Sequence, residues 1–175
     1  MSDWLPEAIE KAFEFERHGA TFYLKLAAST KNRLARQLLN NLAKDEVQHV
    51  MDIDNIYNEL KDGKPLPKTM NRQSTEKIED SIKRYFSNLD KDKRREDMDD
   101  LETLKLAMET ERHGYQMYTD AMNAADNEAL KNLFHLLREE EKEHLTALEN
   151  IYHYLANPAD WFSQDESQVW NWMNT

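Results

Sequence analysis

The strongest constraint in this chain is that it contains itself twice. A shift of 95 residues lays AFEFERHGATFY, beginning at Ala12, on AMETERHGYQMY, beginning at Ala107. The same shift, without a gap, places DEVQH at Asp45 on EEKEH at Glu140 and NIY at Asn55 on NIY at Asn150. Roughly a third of the positions from Ala12 to Leu60 are identical between the copies. Whatever one copy forms, the other must form too, and the two are expected to be related by a pseudo-twofold axis.

Each copy reads as a pair of helices. Ile9, Phe13, Ala20, Tyr23 and Ala27 recur at three-, four- and seven-residue steps, one face of a helix over about Leu5 to Ala28, with Pro6 suited to its first turn. Leu38, Leu42, Ile53, Ile56 and Leu60 mark a second helix over about Asn32 to Leu60, stopped by Asp62-Gly63 with Pro65 and Pro67 behind. The second copy gives a third helix over about Asp99 to Ala124 and a fourth over about Asn127 to Leu155. Only three glycines and four prolines in 175 residues suit such long helices better than a many-turned sheet. Short links near Thr30 and Asp126 make antiparallel neighbours. The expected fold is therefore all-α: an antiparallel four-helix bundle of two repeated hairpins, residues 5–62 and 99–156, joined by one long crossover. That crossover, residues 63–98, is polar, with Ile78, Ile82, Tyr85 and Phe86 suggesting a short helix. The bundle takes residues 1–156. Residues 157–175 form a tail with Trp161, Phe162, Trp170 and Trp172, placed to cap the bundle or meet another subunit.

Composition narrows the chemistry. There is no cysteine, which removes disulfides, thiolate metal sites and cysteine nucleophiles. The glycines do not form a phosphate-binding loop. With 34 acidic and 23 basic side chains the net charge is −11, unsuited to nucleic acid or an anionic membrane as main partner. No apolar run approaches a membrane span, and the first residues lack the shape of a signal peptide, so a soluble cytoplasmic protein is expected.

What survives between the copies is not mainly hydrophobic. Glu16 lies seven residues from both Ile9 and Tyr23, on the apolar face, and Glu111 sits likewise between Leu104 and Tyr118. Glu46 and His49 form a Glu-x-x-His pair between Leu42 and Ile53, and Glu141 and His144 repeat it between Leu137 and Leu148. Each helix thus turns a potential ligand inward near its midpoint. Four carboxylates in an apolar core are costly unless protons or cations neutralise them. Two divalent metals would cancel the four charges, with the two imidazoles completing the ligands. This is the donor set of di-iron and di-manganese carboxylate bundles, and oxygen with imidazole does not separate iron or manganese from zinc. Glu14 and Glu109 are two positions before the inward Glu, about 200° round the helix, and read as solvent-facing; His18 and His113, two positions after it, read as surface or interface residues. Glu139, Glu140 and Glu143 read as a solvated face, with Glu140 and its counterpart Asp45 available to support the ligands from behind. Tyr23 and Tyr118 either donate hydrogen bonds to a ligating carboxylate or simply fill core.

On these residues, Glu16-x6-Tyr23 with Glu46-x-x-His49 and Glu111-x6-Tyr118 with Glu141-x-x-His144, the sequence resembles the rubrerythrin-like branch of the ferritin-like superfamily over about Leu5 to Leu155. The resemblance implies a non-haem centre of two iron ions, with Glu46 and Glu141 bridging and Glu16, Glu111, His49 and His144 terminal. Two departures stand out. Typical members carry a rubredoxin module with an iron bound by four cysteines, so electrons here must come from an external, rubredoxin-type donor. They also carry a further Glu three residues after the third-helix ligand, which takes part in a redox-linked iron shift; here that position is Gly114, matching Gly19. The function expected first is an oxidoreductase that reduces hydrogen peroxide or reacts with dioxygen in oxidative-stress defence. The others are an iron-binding or ferroxidase protein, and a helical interaction protein with a structural metal. A homodimer is the expected assembly.

Overall fold

The structure is a computed structural model, described over residues 4–62, 64, 100–126 and 128–157. The segment suggested as a crossover helix and the aromatic tail lie outside these residues. Four helices follow in chain order: α1 (Trp4–Ser29), α2 (Arg33–Lys61), α3 (Leu101–Ala124) and α4 (Glu128–Ala156). These bounds lie within two residues of those expected from periodicity and stop signals, as fraying helix ends allow. No strand occurs among the described residues, and no described helix is long and apolar enough to cross a membrane.

Packing follows the duplication. α1 packs chiefly along α2 and α3 along α4, with α1 also touching α3 and α2 touching α4. The start of α3 lies beside the α1–α2 turn, because both carboxylate oxygens of the buried Asp100 accept backbone N–H groups there, from Lys31 (3.1 Å) and from Asn32. Asn32 in turn caps α2, its Oδ1 accepting the N–H of Ala35 at 2.9 Å. α2 runs away from this corner for 29 residues, about 43 Å of helix at 1.5 Å per residue. The chain thus leaves α2 at one end of the bundle and begins α3 at the other, the connectivity expected of a bundle with one long crossover.

The core divides into two apolar clusters. One gathers Ala27, Leu34, Leu38, Leu42, Leu104 and Ile151; the other gathers Ile9, Ile53, Ile56, Leu130, Leu133 and Leu137. Repeat counterparts fall in opposite clusters: Ile9 with Leu104, Leu38 with Leu133, Leu42 with Leu137. The pseudo-twofold axis therefore exchanges the two ends of the bundle and passes through its middle. Anything placed near the middle of one helix is brought beside its own copy.

Asp100 ties the second hairpin to the first without help from the metal-ligand types. Asp100→Ala removes the carboxylate that accepts from the Lys31 and Asn32 amides and is expected to cost about 1–3 kcal/mol of unfolding free energy, read by urea denaturation.

Candidate metal centre

The waist between the two apolar clusters is polar. Glu16 on α1, Glu46 and His49 on α2, Glu111 on α3, and Glu141 and His144 on α4 all lie there, and none is more than 5% exposed. Their inward direction follows from the helix period: the apolar residues two turns away from Glu16 and Glu111, and those flanking each Glu-x-x-His pair, are themselves buried. The six side chains expected from sequence are all brought together.

Within the waist, His49 Nδ1 lies 3.0 Å from Glu16 Oε2 and 3.7 Å from Glu46 Oε2. His144 Nδ1 lies 3.5 Å from Glu46 Oε1 and 3.6 Å from Glu111 Oε2. The two imidazoles stack, centroids 5.6 Å apart and planes 16° from parallel. Both tyrosines act across the repeat: Tyr23 donates to Glu111 Oε1 and Tyr118 donates to Glu16 Oε1. This settles the choice left open by periodicity, since each hydroxyl of one hairpin fixes the carboxylate of the other.

Two groups of four donor atoms, each within 4.8 Å of one another, emerge: Glu16, Glu46, His49 and Glu141, and Glu46, Glu111, Glu141 and His144. Glu46 and Glu141 are common to both. Glu46 Oε2, Glu111 Oε2, Glu141 Oε1 and His144 Nδ1 are buried without a hydrogen-bond partner. Buried polar atoms are normally paired, and orphans of this kind call for a cation or a proton. Oxygen and imidazole donors converging in two overlapping sets fit a pair of divalent ions, with Glu46 and Glu141 shared between them.

The glycines beside these carboxylates have a steric reason. A Cβ on Gly114 would stand 2.3 Å from Glu141 Oε2 and 2.8 Å from Phe15 Cε1, and one on Gly19 would stand 3.3 Å from Glu46 Cδ. The Glu46 and Glu141 carboxyls thus pack close to Gly19 on α1 and Gly114 on α3. A side chain at position 114 would have to displace the Glu141 carboxyl and the Phe15 ring.

The electrostatics show how the cluster copes with its own charge. Burial raises the Glu16 carboxyl, but His49 and the hydrogen bonds it receives outweigh this and hold it down at about 2. Burial and the neighbouring Glu16 charge push Glu46 up to about 8. Burial and the charges of Glu111, Glu16 and Glu46 push Glu141 well up. Burial opposes charge on His49 and His144, yet the surrounding carboxylates raise both well above their ordinary value. Near neutral pH, protons on Glu46, Glu141 and the imidazoles stand where cations would stand.

Glu14, Glu109, His18 and His113, read as outward, do not turn into the waist, whereas Glu139 and Glu140, read as part of a solvated face, are half-buried. His18 is 72% exposed at its side chain, His113 and Glu109 are exposed, and Glu14 pairs with Arg17 at 2.6 Å on the surface. Asp45 sits behind the site, its Oδ2 3.9 Å from His144 Nε2, and Glu140 lies within 4.8 Å of ring nitrogens of both imidazoles. Sequence reading missed Asp52, a buried carboxyl whose Oδ1 accepts from Gln48 Nε2 at 2.9 Å. Its spacing, one turn beyond His49, was the available signal.

The family profile described as Rubrerythrin matches residues 7–152. No curated protein and no solved structure matches the chain.

Two outcomes follow from this geometry. Glu46 keeps its proton in the folded protein at pH values where an unfolded chain has lost it. The stability it contributes is complete below about 4.5 and lost as pH rises through about 8. Glu141 and both imidazoles act in the same direction. Protein stripped with a chelator should therefore melt at lower temperature as pH rises from 6.5 to 9, and metal-loaded protein should lose much less over that range. Tyr23→Phe and Tyr118→Phe, which free one carboxylate each, should each weaken metal binding about 10-fold or more in a chelator competition.

Proposed function

The chain belongs to the rubrerythrin family, and from that premise we propose that its six inward side chains hold two iron ions and that it is an oxidoreductase acting on hydrogen peroxide or dioxygen. The observation that carries this reading is the pair of overlapping donor sets sharing Glu46 and Glu141. A lone structural ion needs one closed set of ligands; two sets with shared carboxylates suit two ions held close together and acting jointly. When bound, the iron pair supplies two electrons by passing between its diferrous and diferric states.

The chain's own residues supply the rest. Glu46 and Glu141 would each offer an oxygen to both ions, and Glu16 and Glu111 would each serve one of them. Tyr23 and Tyr118 donate to the far carboxylates, holding Glu111 and Glu16 in place as charge in the centre changes. The apolar clusters on either side keep bulk water from the waist, so that charge interactions there stay strong. With no cysteine in the chain, the electrons are delivered by an external donor of rubredoxin type. Assembly as a homodimer belongs to the same proposal, as do oxidative-stress defence and a cytoplasmic setting.

The test is anaerobic loading of the full chain with ferrous iron, then rapid mixing with one equivalent of hydrogen peroxide per chain. Oxidation of both ions, with growth of ferric oxo-bridged absorption and recovery on adding a reductant, is expected. Glu46→Ala combined with Glu141→Ala should abolish the signal. Bound iron that stays ferrous would mark a structural site, and ferric iron released to solution would mark iron handling; either contradicts the proposal.

A further inference from the structure

The duplication preserves the inside of the bundle and reverses much of its outside. From residue 17 to residue 44 the chain carries six basic side chains and no Asp or Glu, within a protein of net charge −11. The matching stretch, residues 112–139, carries three basic and four acidic ones. Lys25, Lys31, Arg33 and Lys44 stand where the second repeat has Asp120, Asp126, Glu128 and Glu139. The twofold symmetry of the waist is not shared by the surface above it.

The two surfaces also differ in how their charges are used. In the second repeat Arg112 pairs with Glu149 at 2.9 Å, Glu128 with Lys131 at 2.9 Å and Glu139 with Arg138 at 2.6 Å. In the first, Arg17 pairs with Glu14, and Arg36 gives its guanidinium to the Thr30 and Lys31 carbonyls. Lys25, Arg33 and Lys44 are exposed and form no ion pair with the described residues. Apolar side chains accompany them. Leu24, next to Lys25 on α1, is 54% exposed, and Val47, one turn beyond Lys44 on α2, is 44% exposed. Their counterparts are Thr119 and Lys142. Exposed apolar side chains among unpaired charges of one sign suit a protein interface.

This surface lies over the waist. Lys25 is two residues beyond Tyr23, whose hydroxyl donates to Glu111, and Lys44 is two residues before Glu46. One helix layer, about 10 Å thick, separates it from the inward side chains. Charge narrows the occupant. A second copy docked through the same patch would set like charges against each other. An extended polyanion such as nucleic acid would also meet the rest of a strongly acidic chain. A small acidic protein meets the patch alone.

We propose that the outward face of the first hairpin, around Leu24, Lys25, Arg33 and Lys44, docks the external electron donor, and that this donor is a small acidic one-electron carrier protein. This rests on reading the waist as a two-iron oxidoreductase centre. Each encounter passes one electron inward, oxidising the carrier and reducing one ferric ion, so two encounters return the centre to its diferrous state. Electrons thus enter on one side of a centre whose six inward residues are symmetric.

The test is stopped-flow reduction of the iron-loaded, oxidised full chain by a reduced acidic rubredoxin. Wild-type reduction should slow about 10-fold or more as ionic strength rises from about 0.01 to about 1 M. Lys25→Asp, Arg33→Glu and Lys44→Glu combined give the first hairpin the residues that the second already carries. At low salt this triple variant should be reduced by rubredoxin about 10-fold or more slowly than wild type. Dithionite at high ionic strength, where surface charge is screened, should reduce both at the same rate. Lys11→Glu, Lys131→Glu and Lys142→Glu combined, an equal change of charge away from the patch, should have a much smaller effect. Carbodiimide should cross-link rubredoxin carboxylates to Lys25 or Lys44. Equal effects of the two triple variants, or cross-links confined to the second hairpin, would overturn the docking surface. So would a change of mass in solution in the first triple variant, since a second copy would then be what covers the face. Bound iron that neither rubredoxin nor dithionite reduces, or no bound iron, would instead overturn the reading of the centre.

Discussion

Four carboxyls gathered at one waist of the bundle, away from water, are the constraint around which this molecule is arranged. Nothing in an apolar core favours them, and their mutual repulsion opposes them. The structure answers in layers. Glu16 keeps its charge against His49 and Tyr118, while Glu46 and Glu141 are pushed towards holding protons. What remains at the waist is a set of buried donor atoms without hydrogen-bond partners, on Glu46, Glu111, Glu141 and His144. The apolar halves on either side are arranged to sustain that waist.

Duplication explains how such an arrangement can be built from little sequence. A twofold axis that swaps the ends of the bundle carries any inward residue at mid-helix onto a position beside its copy. One Glu and one Glu-x-x-His, doubled, become two overlapping donor sets. The same operation pairs Tyr23 with Glu111 and Tyr118 with Glu16, so that neither hairpin completes its half of the site alone. Asp100 supplies the register, tying the start of the second hairpin to the turn of the first.

Much of this was legible beforehand because it is periodic. The helices, their inward faces and all six waist residues follow from spacing and from the repeat. The remainder depends on contacts across helices, which a one-dimensional pattern does not encode. Tyr23 and Tyr118 could be placed on the right face, but their partners lie 88 and 102 residues away. Gly114 looked like the place of a missing carboxylate, whereas its bare backbone is where the Glu141 carboxyl packs. Asp52 was hidden for a different reason: it breaks the symmetry that made everything else visible.

The central claim is that two metals share Glu46 and Glu141, and iron-edge anomalous diffraction from crystals of the iron-loaded protein tests it most directly. The account predicts two anomalous peaks about 3.5–4 Å apart, both bounded by the Glu46 and Glu141 carboxylates, one towards His49 and one towards His144. A single peak with one histidine left unligated, or peaks only at surface carboxylates such as Glu14 or Glu139, would contradict it.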